Sequence, residues 1–109
     1  MSGKTSQRKG RSGELELTMI LNDNGIPAEV GEPVSYGSTP DITGVSNIHV
    51  ECKRVERLNI YQAISQAEVD SKKFQDGAPT VFHRRNRKPW LVTMRLTDWI
   101  RLYKSDQER

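Results

Sequence analysis

The sequence predicts an α/β domain in which a central mixed β-sheet is flanked by α-helices. Apolar residues recur with the helical period in two long stretches, and they alternate with polar residues at a period of two between those stretches. Clusters of Gly, Pro, Asn and Ser separate these segments. The 109 residues, of which 34% are apolar, suffice for one modest core. We therefore expect a flexible basic arm over residues 1–11 and one domain over residues 12–109.

The first helix is predicted to begin at Ser12, a good N-cap residue, and to run to about Asp23, with Gly25 ending it. Glu14 then lies in its first turn. The face that packs on the sheet is made by Leu17, Ile20 and Leu21.

Three strands are expected next. Residues 27–34 form the first of them, and residues 41–44 form the second. A hairpin through residues 44–47 leads to the third, residues 48–53. Alternation along this third strand places Val50 and Cys52 on the apolar side and places Glu51 and Lys53 together on the other, about 7 Å apart.

A second helix is expected from about Asn59, its cap, to Gln75. Gln62 and Gln66 lie beside its apolar stripe, and either could face a site or solvent. Two strands, residues 80–83 and 90–94, then enclose a basic turn, and Thr97 can cap a last helix to about Lys104. An apolar surface on that helix, which is either core or dimer interface, is made by Trp99, Ile100, Leu102 and Tyr103.

The residues Asp41, Glu51 and Lys53 have the chemistry of a metal-dependent phosphodiesterase. Mg²⁺ prefers oxygen ligands and usually takes one or two protein carboxylates. A lysine beside it can orient the attacking water and offset negative charge in the transition state. The alternative is a solvated Glu51–Lys53 pair on an ordinary strand that follows a Pro-Asp turn. His49 shares this face and can edge the pocket, but a lone histidine without partners at ligand spacing is a poor zinc ligand.

The order of several short motifs resembles that of PD-(D/E)xK nucleases, and especially of the small archaeal-type Holliday-junction resolvases and their phage-encoded relatives. The motifs are a basic Arg8-Lys9-Gly10 opening, Glu14 on the first helix, a Ser35-x-Gly37-Ser38 loop, Pro40-Asp41, Glu51-x-Lys53 and a helix bearing Gln66. The resemblance covers residues 8–103 and implies a restriction-endonuclease-like core. The chain departs from the archaeal resolvases in having proline before Asp41 and a longer basic hairpin near its C-terminus.

The resemblance also implies roles for individual residues. Asp41, Glu51 and the Cys52 carbonyl would bind Mg²⁺, for which Mn²⁺ would substitute, and Lys53 would be the catalytic lysine. Glu14 would reach the metal through water. Ser35 would lie near the scissile phosphate, and Gln66 would support the site. Two alternatives stay open: a virus-type replication-repair or other nuclease that acts on flaps or duplex DNA, and a DNA-binding module on a nuclease scaffold.

Charge is unevenly distributed in a way that favours DNA as the partner. The net charge is +3, yet two short segments hold eight cations and the rest of the chain is net acidic. Lysine and arginine that contact phosphates release counterions, which favours backbone binding. The expected DNA contacts are Arg8, Lys9, Arg11, Arg84, Arg85, Arg87 and Lys88, with Arg54 and Arg57 beside the site.

Several other classes are disfavoured. No apolar run approaches a membrane span, and no apolar signal-peptide core is seen, so we expect a cytoplasmic protein with no membrane partner. No Gly-Lys-Ser/Thr phosphate loop is found, so no nucleotide cofactor is expected. Cys52, the single cysteine, is expected to fill the core. The low apolar fraction makes a homodimer plausible.

Overall fold

A computed structural model describes residues 3–31 and 39–109, with side chains described from Gly10 onward in the first helix. These residues form, in chain order, α1 (Gly3–Asp23), β1 (Glu29–Val30), β2 (Ile42–Thr43), β3 (Ile48–Arg54), α2 (Ile60–Phe74), β4 (Ala78–Arg84), β5 (Leu91–Met94) and α3 (Leu96–Gln107). The predicted mixed sheet with flanking helices is confirmed.

The sheet has the strand order β1-β2-β3-β4-β5, with β3 at its centre. β3 and β4 pair in parallel, because α2 crosses from one to the other over a face of the sheet. The other neighbouring strands pair antiparallel. Of these connections, the predicted hairpin between β2 and β3 is confirmed, and its register places Ile42 opposite Val50.

The two faces of the sheet carry different cores. On the α1 face, Leu17 packs with Ile42, Val50 and Cys52. On the α2 face, the buried residues are Ala63, Ala67 and Val81. Cys52 is therefore core filler, as predicted, and burial raises the pKa of its thiol to about 12. The thiol is thus uncharged and unreactive at neutral pH.

The predicted start of the first helix at Ser12 is wrong, because α1 begins at Gly3. Residues 3–11 contain no proline, and most of their side chains favour a helix or tolerate one, so the helix extends through the segment expected to be a flexible arm. Ser12 does not cap the helix; its hydroxyl accepts a hydrogen bond from Arg54 Nη1 at 3.1 Å. The domain boundary at residue 12 stays a prediction.

The second helix has the predicted cap, whereas the third does not. Asn59 Oδ1 accepts a hydrogen bond from the backbone N–H of Gln62 at 3.1 Å. α3 begins at Leu96, so Thr97 lies inside it and Arg95 occupies the cap position without a side-chain cap. Asp98 in the first turn takes over the role of stabilising this end, because a carboxylate there complements the helix dipole.

The apolar surface of α3 is not core. Trp99 is 49% exposed and stacks on Tyr103 with ring centroids 5.2 Å apart. Leu91 and Val92 of the edge strand β5 are exposed as well. The prediction that this surface of α3 belongs to the core is wrong. The alternative, that it is a dimer interface, stays a prediction. Within residues 3–31 and 39–109, no helix has the length and apolar character needed to span a membrane.

The first predicted strand is shorter than expected. β1 comprises only Glu29 and Val30, and residues 32–38 lie outside the described part of the chain. Pro27 cannot donate a ladder hydrogen bond, which is why pairing begins after it. Beyond β1, the backbone N–H of Gly31 still donates to the Asp41 carbonyl at 2.9 Å, and this bond anchors the start of β2.

Candidate active site

Asp41 is held at the start of β2 by two backbone contacts. Its carbonyl accepts from Gly31, and its carboxylate Oδ2 accepts from the backbone N–H of Cys52 at 3.0 Å. Burial raises the pKa of the Asp41 carboxyl, and the nearby Glu51 carboxylate raises it further. Continuing the β2–β3 register by one residue places Asp41 opposite Glu51.

Glu51 and Lys53 lie on the same face of β3, as the alternation predicts. Glu51 is only 7% exposed, and its Oε2 lies 3.7 Å from Lys53 Nζ. Lys53 is more open, with 37% of its side chain exposed. The pair therefore combines a buried carboxylate with an ammonium group that solvent or a substrate can reach.

Glu14 joins this group from α1 because Gly13 lets the helix approach β3 closely. A Cβ atom at Gly13 would lie 3.0 Å from Arg54 Cβ and 3.7 Å from Cys52 Sγ. Burial raises the pKa of the Glu14 carboxyl, with the negative charge of Asp41 and, more weakly, that of Glu51 adding to the effect, while Arg11 opposes it. Glu14, Asp41 and Glu51 thus form one electrostatic cluster.

The charges of this cluster favour a nearby cation. Burial and mutual repulsion raise the pKa values of Glu14 and Asp41, although the ligand atoms of Glu14, Asp41 and Glu51 do not all lie within 4.8 Å of one another in the described part of the chain. A hard cation with oxygen ligands would relieve that repulsion. The backbone N–H of Cys52 is engaged by Asp41, whereas a ligand role for the Cys52 carbonyl stays a prediction.

A second group of side chains, not predicted from the sequence, adjoins Glu51 on the α2 face. His49 is 1% exposed; its Nδ1 lies 2.8 Å from Asp76 Oδ1 and its Nε2 lies 3.5 Å from Glu51 Oε1. His49, Glu51 and Asp70 each present a ligand atom within 4.8 Å of the others. His49 was expected at the pocket edge from alternation, but nothing local indicates Asp70 or Asp76.

Of the two candidate glutamines, Gln66 is the one beside this group. Its Nε2 donates to Asp70 Oδ1 at 3.1 Å, one helical turn away. Gln62 is exposed, and its backbone N–H is used by the Asn59 cap. A catalytic role for Gln66 stays a prediction. Ser35 lies outside the described residues, so its expected role near the scissile phosphate also stays a prediction.

The predicted DNA contacts differ in their surroundings. Arg84 forms a two-point ion pair with Glu16, with both N–O distances 2.8 Å, and the Trp90 indole donates to the same carboxylate. Arg54 donates a hydrogen bond to Ser12. The charge of Arg11 acts on Glu14 and partly opposes the rise in the pKa of that carboxyl. The side chains of Arg8 and Lys9 lie outside the described part. Exposed positions are occupied by Arg57, Arg85, Arg87 and Lys88.

A groove of about 320 Å³ separates the end of β3 from the basic hairpin, residues 85–90. Its floor is apolar, with Leu58 and Ile60, and its wall carries Arg84, Arg85 and Lys88. Val55, two residues beyond Lys53, also lines it. No residue of the carboxylate cluster lines this groove, and Val55 is the lining residue nearest to Lys53 along β3 and the segment that follows it.

No protein family, curated protein or solved structure matches this chain. Arguments about its function therefore depend on the site itself.

Proposed function

We propose that this protein is a Mg²⁺-dependent DNA endonuclease of the PD-(D/E)xK type. One observation carries the proposal: the charges of Glu14, Asp41 and Glu51 act on one another, and Lys53 Nζ lies 3.7 Å from Glu51 Oε2. These residues are separated in sequence, and an ordinary fold has no need to gather like charges. Perturbed carboxyl pKa values beside a reachable lysine are typical of catalytic sites.

In this proposal Asp41 and Glu51 would hold the cation, with the Cys52 carbonyl as a third oxygen, and Glu14 would support it through water. Mg²⁺ would supply Lewis-acid stabilisation of the charge that develops on the scissile phosphate. Lys53 would orient the attacking water and offset the same charge. The Cys52 N–H fixes the Asp41 carboxylate, so the ligand is already in position before DNA binds.

The register of β3 and β4 supports a path for the DNA from Lys53 toward the basic hairpin. Lys53 pairs with His83 and Arg54 pairs with Arg84, so the hairpin begins two residues beyond the level of the proposed catalytic lysine. A phosphate backbone that crosses Lys53 would continue along the groove wall. Arg85, Arg87 and Lys88 are the exposed cations there, whereas Arg84 is already paired with Glu16.

We further propose that the substrate is branched DNA and that the active form is a cytoplasmic homodimer. A four-way junction has two symmetric cleavage positions, which two copies of one site can serve. The exposed apolar surface of α3 and β5 supports a dimer, since a surface of this character often marks a protein interface.

The test is a panel of labelled duplex, flap, splayed-arm and four-way-junction substrates, incubated with and without Mg²⁺. Paired nicks that require Mg²⁺ and occur only in the four-way junction would support the resolvase assignment. Cleavage of flaps or duplex would move the assignment to another nuclease of this type. Binding without any cleavage would favour the DNA-binding module.

The basic hairpin gives a quantitative prediction. Replacing Arg85, Arg87 and Lys88 by Gln should make the slope of log affinity against log salt shallower by about 0.9 for each phosphate that is no longer neutralised, or about 2.7 for three. Fluorescence anisotropy with labelled DNA in Ca²⁺ would measure this slope. The matched control replaces the exposed Lys72, Lys104 and Arg109, which changes the net charge equally. Equal slopes in the two triple variants would show that the hairpin faces away from DNA.

A further inference from the structure

We propose that His49, Glu51 and Asp70 form a second cation site, which binds a first-row transition metal such as Zn²⁺. This site shares Glu51 with the proposed Mg²⁺ site but lies on its other side, beneath α2. It goes beyond the proposed nuclease activity, which does not require it.

The separation of the ligand atoms fits such an ion. His49 Nε2 lies 3.5 Å from Glu51 Oε1, and a carboxylate oxygen of Asp70 completes a set within 4.8 Å. Ligands at 2.0 to 2.2 Å from a tetrahedral zinc are about 3.4 Å apart. The histidine and Glu51 are already at this separation, and Asp70, on α2 and partly exposed, needs only a small side-chain movement to close the site.

The protonation pattern of His49 is also right for a ligand. Its Nδ1 is within 2.8 and 2.9 Å of the two Asp76 oxygens, and a carboxylate can only accept, so Nδ1 carries the proton. Burial opposes protonation of the ring, but Glu51 and Asp76 together raise the pKa of His49, so a cation would take the place of the proton on Nε2 between His49 and Glu51. A carboxylate that orients a ligand histidine in this way is a recurrent feature of zinc sites.

A second observation concerns Nε2, whose nearest charged neighbour, Glu51 Oε1, lies at 3.5 Å and pairs with it only if the ring is protonated. His49 is 1% exposed, and Nε2 has no hydrogen-bond partner among the described residues. A buried polar atom without a partner is costly, and most such atoms are paired. A cation between Nε2 and the two carboxylates would satisfy all three groups together.

The chemical class of the ion follows from its donors. Imidazole nitrogen suits zinc, copper, iron and nickel, whereas Mg²⁺ and Mn²⁺ are bound mainly by oxygen ligands. The Cys52 thiol is buried on the opposite face with its pKa raised to about 12, so it does not compete as a ligand. The two sides of Glu51 thus offer an all-oxygen site and a nitrogen-containing site.

The experiment titrates tag-free protein with Zn²⁺ and follows the imidazole nitrogens by NMR. The chain has two histidines, and His83, whose Nε2 is bonded to Thr93, is the internal control. Zn²⁺ should shift the His49 Nε2 signal and leave that of His83 unchanged. Asp70→Asn should weaken Zn²⁺ binding at least about tenfold, and Asp76→Asn should weaken it by about 10- to 100-fold through misorientation of the ring.

A matched control variant makes the result decisive. Glu68→Gln changes a carboxylate on the same helix that pairs with Arg95, and it should bind Zn²⁺ like the wild type. Wild-type affinity in Asp70→Asn, or an equal loss of affinity in Glu68→Gln, would overturn the proposal. Because no DNA or Mg²⁺ is present, these outcomes are independent of whether the protein is a nuclease.

Discussion

Asp41→Asn and Glu51→Gln should each reduce cleavage in Mg²⁺ by about 10²- to 10³-fold. Each change removes a proposed ligand, Lewis-acid stabilisation is worth several kcal/mol, and each 1.4 kcal/mol is a factor of ten in rate. Single-turnover cleavage of the preferred substrate from the panel measures the effect. Glu29→Gln, which changes an exposed carboxylate on β1, is the matched control and should cut at the wild-type rate.

The Asp41→Asn variant should also be more stable than the wild type in the absence of metal. Because the folded state raises the pKa of Asp41, folding favours its protonated form, and the ionised carboxylate destabilises the fold as pH rises through the raised pKa. Asparagine removes the charge and can still accept from the Cys52 N–H. Each kcal/mol gained would raise Tm by roughly 4–8 °C. A folded Asp41→Asn protein that cuts normally would refute the ligand assignment.

Lys53→Ala should lower the rate of the chemical step by about 10²- to 10³-fold, the size expected when one preorganised stabiliser of transition-state charge is removed. DNA affinity measured in Ca²⁺ should change little, because one phosphate contact among several is minor. Arg57→Ala removes an exposed cation just beyond β3 and provides the control, with a small loss of affinity and no loss of rate. If Lys53→Ala changes affinity alone, Lys53 is an ordinary phosphate contact.

Local periodicity was enough to predict where several residues of the candidate site lie. The period of two in β3 correctly placed Glu51 and Lys53 on one face and Cys52 in the core. The turn before β3 correctly predicted a hairpin that brings Asp41 opposite Glu51. Both features depend on residues within about ten positions of each other, where strand geometry leaves few alternatives.

Contacts between distant segments could not be predicted in the same way. Glu16 and Arg84 are 68 residues apart, and nothing in either local sequence indicates that they pair. Asp70 approaches Glu51 only because α2 crosses the sheet at a particular angle and depth, which its apolar stripe does not specify. Side chains that meet through tertiary packing require the assembled fold.

The alternation along β3 constrains how this sequence can vary in evolution. Every second residue of β3 lies on the face of the candidate site and the others face the core under α1, so the β2–β3 register must be kept. A single insertion in residues 44–47 that shifted the register would exchange the two sets, turning Val50 and Cys52 toward the carboxylates and Glu51 into the apolar layer under α1. Substitutions in that turn can accumulate, whereas insertions and deletions should be eliminated by selection.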